Sequence, residues 1–223
     1  MTRSAMEIAK TLAAMSGRYS SHEIFADWIR MCALSIQNAC TMPVGKVWHE
    51  REQSYLDTAR RYSKEELGKF AEMFVLLTNS LEEDMTDALG EIYMSREMGS
   101  SLTGQFFTPF HLSELTARLI FNDSITSNPD EMTELNEPTC GSGGMIIAVA
   151  KTMRDHGINY QKRIKVVAQD VDWRCVHMCY VQLSLLGIRA KVIQGNTLTD
   201  PYDPARTETS HIFRTPGDMG VLL

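Results

Sequence analysis

The chain has 223 residues, 43% of them hydrophobic and 22% charged, with a net charge of −6. That composition excludes a disordered chain and supplies one good core, or a small helical domain plus part of a larger one. The acidic balance argues against firm DNA binding by this chain alone, since phosphate neutralisation by Lys and Arg supplies most of such binding.

The opening stretch "MTRSAMEIAKTLAAMSGRYS" is broken by Glu7, Lys10 and Arg18 and reads as an amphipathic helix, not a secretion signal. No uninterrupted apolar run is long enough to span a bilayer. A cytoplasmic protein with no membrane partner is therefore expected. "SSHEIFADWIRMCALSIQNAC" has a Ser20-x-x-Glu23 capping box ahead of an apolar stripe from Ile24 to Ile36. "MPVGK" (42–46) reads as a turn. "SKEELGKFAEMFVLLTNSL" repeats the start signal with Ser63-x-x-Glu66, and Phe70, Met73, Phe74 and Leu77 form its stripe. A further helix over 84–98 carries "DALGEIYM". Arg51, Arg60, Arg61 and Lys64 form either a basic patch or, with Glu50, Glu52, Glu65 and Glu66 close by, a solvated helix face. No β pattern precedes residue 130, and there is no repeat. Residues 1–98 are thus expected to form a helical N-terminal region.

Beyond residue 130 the pattern changes. "ELNEP" (134–138) is a short strand entering the glycine turn "CGSGG". "GGMIIAVAKTMRDHG" is a helix stopped by Gly157. "IKVVAQD" (164–170) is a buried strand ending in an acid. "DWRCVHMCYVQLSLLG" is a helix stopped by Gly187. "AKVIQGN" (190–196) is another strand, and "SHIF" (210–213) is a weak fourth. The order β-α-β-α-β predicts a doubly wound parallel sheet. The five cysteines have no metal-like pairing. Cys175 and Cys179 are expected as small buried apolar side chains, and Cys140 as packing.

Ligands of such sheets bind at the carboxyl ends of the strands. The glycine turn lacks the Gly-Lys-Ser/Thr of a Walker A loop, and Ile146 stands where a dinucleotide loop needs its third glycine. Asp170, at the end of the next strand, suits a ribose diol. The pocket is therefore expected to hold an adenosine with a bulky 5′ group, approached closely by backbone that carries no Cβ.

Two more stretches sharpen this: "GQFFTP" (104–109) upstream and "QGNTL" (194–198) downstream. The series "GQFFTP", "PTCGSGG", "AQDVD", "QGNTL" resembles, in that order, the adenine-N6 DNA methyltransferases. It is most similar to the modification subunits of type I restriction–modification systems and their phage relatives. "DALGEIYM" also looks like the helix preceding the Phe-Thr-Pro motif in that family. Taken singly, Phe106 and Phe107 fit a core and Asn196 fits a turn; the shared order carries the resemblance.

The resemblance implies S-adenosyl-L-methionine as cofactor and DNA as substrate. It implies that Gln105, Phe106, Thr108 and Pro109 line the methionine side and that Thr139, Gly141 and Gly143 approach from the first turn. Asp170 would accept the ribose hydroxyls, Val171 pack near the adenine, and Asn196 cap the adenine edge. The family's catalytic motif, Asn/Asp/Ser-Pro-Pro-Tyr/Phe after the fourth strand, is absent from this sequence. "DPYD" supplies degenerate candidates in Asp200 and Tyr202, but it follows the third strand too closely. "RTPG" (214–217) stands where the motif belongs, and an Arg side chain cannot accept a hydrogen bond.

The expectation is a helical region (1–98) followed by a truncated S-adenosylmethionine-binding methyltransferase domain (99–223), with a Rossmann-like, partial parallel sheet. Its function would be DNA modification needing a partner or missing segment. The alternative is a catalytically inactive pseudo-methyltransferase acting as a binding or regulatory module. A homodimer or partner subunit is expected to cover the sheet edge and an apolar flank.

Overall fold

Five helices come first among the described residues, which are 1–95, 107–121, 131–203 and 209–221 of a computed structural model. They are α1 (Arg3–Met15), α2 (Ser21–Ala39), α3 (Lys46–Ala59), α4 (Lys64–Glu83) and α5 (Ala88–Ser95). Both expected capping boxes form: Ser20 with Glu23 opens α2, and Ser63 with Glu66 opens α4. Each box satisfies two backbone N–H groups that a helix start leaves unpaired. Gly45, at φ 90°, ends the turn ahead of α3, a backbone conformation open chiefly to glycine.

The stripe on α2 buries Ile24, Phe25, Trp28 and Ile29 almost completely. Burying side chains of this size contributes about 1.5–3 kcal/mol each. The Trp28 indole N–H also finds a partner, the Phe70 carbonyl of α4, at 3.1 Å. No helix among the described residues is long and apolar enough to cross a membrane.

After α6 (Phe110–Ile120) come β1 (Thr133–Glu137), α7 (Gly144–Asp155), the one-turn α8 (Tyr160–Arg163) and β2 (Ile164–Asp170). Then follow α9 (Trp173–Leu185), β3 (Arg189–Gln194), β4 (Ile212–Arg214) and the short α10 (Pro216–Met219). The four strands lie side by side in chain order. β1, β2 and β3 are parallel, as expected. β4 is antiparallel to β3, with Val192 opposite Phe213.

This corrects two expectations. The fourth strand does not extend a parallel sheet; it folds back along β3. Nor is the sheet doubly wound among the described residues. Strand order 1-2-3 with right-handed crossovers puts α7 and α9 on one face. Ile164, Val166, Ala168, Ala190, Val192 and Phe213 are buried there. The other face carries the in-register row Glu134, Lys165 and Arg189, and beyond it Lys191 beside Arg214. That face is therefore mixed, its charged row lying beside Val167 and the buried pair Ile193 and Ile212, because the strands alternate in polarity rather than running apolar throughout.

One hydrophobic cluster runs from α1 and α2 through α5 and α9 into β2, β3 and β4. α2 packs along α9, so the helical region covers the sheet's outer helix layer. The expected domain boundary at 98/99 lies outside the described residues.

Candidate cofactor site

The chain leaves β1 through Pro138-Thr139-Cys140-Gly141-Ser142-Gly143 and enters α7. Cys140 N–H donates to the Gln169 carbonyl of β2 at 2.9 Å, and Gly195 N–H donates to the Asp170 carbonyl at 2.9 Å. The Thr197 hydroxyl donates to the Pro138 carbonyl at 2.6 Å. The carboxyl ends of β1, β2 and β3 are therefore tied to one another, which fixes a rim above the sheet.

Gly141 and Gly143 sit at φ 52° and 95°. A Cβ on Gly141 would stand 3.1 Å from the Phe107 ring, and one on Gly143 3.1 Å from Cys179 Sγ. The glycines thus serve both dihedral and space. Asp170 locks onto this turn. Its carboxylate accepts the Gly141 N–H at 3.0 Å and the Asp172 N–H at 2.9 Å.

Beneath the turn lies a buried polar network. The Asp87 carboxylate accepts from the Ser142 hydroxyl at 2.5 Å, from Gln182 Nε2 at 2.9 Å and from Gly90 N–H at 3.0 Å. Gln182 also donates to the Ser142 carbonyl at 2.8 Å, and its oxygen accepts the Leu89 N–H at 3.0 Å. Burial raises the Asp87 pKa above its ordinary value, and the three hydrogen bonds pull it back. The Cys140 thiol is pushed up by its hydrogen bond with Cys179 and by burial. Cys175 and Cys179 are fully buried, as expected of packing residues.

A cavity of about 290 Å³ opens over the turn, lined by Phe107, Thr108, Glu137, Thr139, Gly141 and Met145 among others. Thr108, Thr139 and Gly141 line it together, while Asp170 does not line it and joins the group through its hydrogen bond to Gly141. Pro109 is adjacent, as the residue preceding α6. Gly143 is buried behind the rim against Cys179. Val171 is 60% exposed at the β2 end. Asn196 is exposed beyond β3, and its side-chain oxygen accepts the Leu198 N–H at 3.0 Å. Gln105 and Phe106 lie outside the described residues.

Asp200 and Tyr202 do not line this cavity. Gln169, on the charged side of the sheet, donates to the Asp200 carbonyl and accepts the Tyr202 N–H. The Tyr202 hydroxyl takes a hydrogen bond from Lys191 Nζ at 3.2 Å. In the "RTPG" stretch, Arg214 pairs with Asp218 at 2.7 Å. Thr215 is wholly buried, accepting the Ala190 N–H and donating to the Ile188 carbonyl.

Sequence reading missed Asp87, Ser142, Gln182 and Glu137. Gln182 had a signal: it is the polar residue inside the apolar run "CYVQLSLLG".

The sequence profile of the N-6 DNA Methylase family matches residues 84–216, more than half of the chain. The chain is 25% identical over 129 residues to the methylase subunit of the type I restriction enzyme MpnII of Mycoplasma pneumoniae. That alignment takes in 54% of this chain and 22% of the relative's length. A solved structure from Listeria monocytogenes, described as a class I S-adenosylmethionine-dependent methyltransferase, superposes with a TM-score of 0.48 at 10% identity. The superposition covers 94% of this chain and 57% of that one.

The family implies S-adenosyl-L-methionine as cofactor, and the residues present fit it. The cavity over the glycine turn gives room for a ligand beside backbone that carries no Cβ at Gly141. Asp170 keeps lone pairs beyond its two backbone contacts. Val171 and Leu198 stand exposed, at 60% and 94%, on the turns after β2 and β3, where a flat ring needs apolar surface. Glu137 adds a second carboxylate suited to a cationic group. With the profile spanning the helix before the site, the glycine turn, the acid of β2 and the end of β3, the chain belongs to the N-6 DNA methylase family.

Proposed function

We propose that the chain binds S-adenosyl-L-methionine over the strand ends and serves adenine-N6 methylation of DNA together with a further segment or partner subunit. The observation that carries this reading is the hydrogen bond from Gly141 N–H to the Asp170 carboxylate. It joins the glycine turn and the acidic strand end at one point, so the two motifs act on one ligand.

The cofactor, when bound, supplies a methyl group on a sulfonium centre. The chain's own residues bind and orient. Asp170 accepts the ribose hydroxyls, and Val171 packs beside the adenine, with Asn196 at its edge. Thr108, Pro109 and Thr139, with Gln105 and Phe106, hold the methionine side. Glu137 and Asp170 favour the positive charge through their own.

A second reading, a binding module without catalysis, is favoured by one observation. Tyr202 and Arg214, in the two stretches closest to the catalytic motif, are engaged with Lys191 and Asp218. The outer edge of β1, which no strand among the described residues pairs, and the charged residues on the open sheet face support association with a partner or a second copy.

Calorimetric titration with S-adenosyl-L-methionine and its demethylated product tests the proposal. The wild type should bind both. Asp170→Asn should weaken binding by roughly tenfold or more, since hydrogen bonds to a charged group contribute about 1.5–3 kcal/mol. Absence of heat from either ligand, or equal affinity in the variant, would reject the assignment.

A further inference from the structure

A second cavity, of about 470 Å³, lies between α2, α3, the first turns of α9 and β4. It shares no lining residue with the cavity at the glycine turn. Its floor is aromatic. Trp173 stacks on His177 with ring centroids 5.4 Å apart, and Phe213 meets His177 edge-on at 5.6 Å. Trp173 keeps 37% of its surface exposed while contacting three rings, His177, His211 and Phe213.

His177 is 94% buried in the folded chain (6% exposed) and lines the cavity. No hydrogen bond engages its ring nitrogens among the described residues. Burial holds it neutral, with a pKa lowered to about 3. A neutral imidazole offers one N–H donor and one acceptor, the pairing that a nucleobase edge presents in reverse.

The charges in the wall leave a cationic excess. Asp27 is neutralised by Arg61 at 2.6 Å, and Glu50 pairs with Lys46 at 3.6 Å. Asp172 pairs with Arg174 at 2.5 Å. Arg30 is exposed at the mouth, and among the described residues its guanidinium donates to the neutral Ser54 hydroxyl at 2.5 Å. A shallower depression shares Arg30, Glu50 and Ser54 with the cavity and runs on past Lys46 and His49.

We propose that this furrow binds a nucleoside monophosphate unit, free or within a single strand, with the base against Trp173 and His177 and the phosphate at Arg30. An aromatic platform with a nearby cation is the combination that holds bases by stacking while paying no regard to their sequence. The inference is independent of the cofactor reading.

The test is calorimetry of the full chain with AMP, and separately with a ten-nucleotide oligo(dA). Trp173→Ala should weaken binding about ten- to a hundredfold, the effect of removing a stacking aromatic. Arg30→Gln should weaken it and flatten its salt dependence. Asp170→Asn should leave it unchanged. Binding of AMP with these effects points to a free nucleotide, and binding of the oligonucleotide alone with the same effects points to a strand; both support the site. No binding of either ligand, binding indifferent to Trp173→Ala, or binding lost in Asp170→Asn would overturn it, the last by sending the nucleotide to the glycine turn. Far-UV circular dichroism of each variant separates a lost fold from a lost site.

Discussion

Ser142 and Asp87 meet hydroxyl to carboxylate at 2.5 Å, although 55 positions separate them. Through this contact the rim of the candidate cofactor site rests on a buried acid at the start of α5. The rim's shape therefore depends on this acid, which also lines the cavity over the turn.

Asp87→Ala should destabilise the fold by roughly 3 kcal/mol or more, because Gly90 N–H, Ser142 Oγ and Gln182 Nε2 each lose a partner and a buried unpaired group costs about 1–3 kcal/mol. Asp87→Asn should cost less. The pH dependence has a definite sign. Burial raises the folded pKa above the ordinary 3.8. The contribution to stability is then whole below 3.8 and is lost as pH rises through the raised folded value. Urea unfolding across that window should show the loss in the wild type and not in Asp87→Asn.

His177 has the opposite sign. Its pKa falls from 6.5 to about 3 in the folded chain. Stability from keeping it neutral is whole above 6.5 and is lost as pH falls through about 3. His177→Phe should flatten the acid limb of the stability curve between those values. An unchanged limb in thermal melts would show that another group governs acid unfolding.

Gly143→Ala should cost about 1–2 kcal/mol from the left-handed backbone alone, with a further penalty from Cys179, whose Sγ lies 3.1 Å from the added carbon. The double variant Gly143→Ala/Cys179→Ala should recover the steric part only. Chemical denaturation of the two variants measures the difference.

Purified chain supplied with S-adenosyl-L-methionine should not methylate DNA at a useful rate. Loss of one preorganised contact to a developing charge typically costs ~10²–10³ in rate, and the whole Pro-Pro-aromatic segment is missing from the sequence. Radiolabelled methyl transfer to mixed-sequence DNA decides this. Incorporation at adenine N6 that disappears in Asp200→Ala would establish Asp200 and Tyr202 as a substitute motif.

Much of the fold was legible because periodicity and caps agreed. Ser20 and Ser63 announced α2 and α4, and "IKVVAQD" and "AKVIQGN" announced β2 and β3. The direction of β4 was not legible. A short strand carries no mark of its partner, and what turns it back is tertiary: Thr215 bonding across to Ile188 and Ala190. The same holds for the site. Asp170 and the glycines show in the sequence because local geometry demands them. Asp87 does not, because its partners come from a distant turn, Ser142, and a distant helix, Gln182.

Arg51 of α3 donates to the Ile212 carbonyl at 2.6 Å across 161 positions, and its guanidinium covers the Phe213 ring. On a ribosome making roughly 5–20 residues per second, that contact waits about 8–32 s after Arg51 is made. Until then the cavity wall beside Trp173 stays open and the strand register of β3 and β4 is unset. The N-terminal helices therefore emerge early but finish late. A nascent chain halted shortly before Ile212 should present that unfinished face to chaperones, even with every helix of α1 to α5 already synthesised.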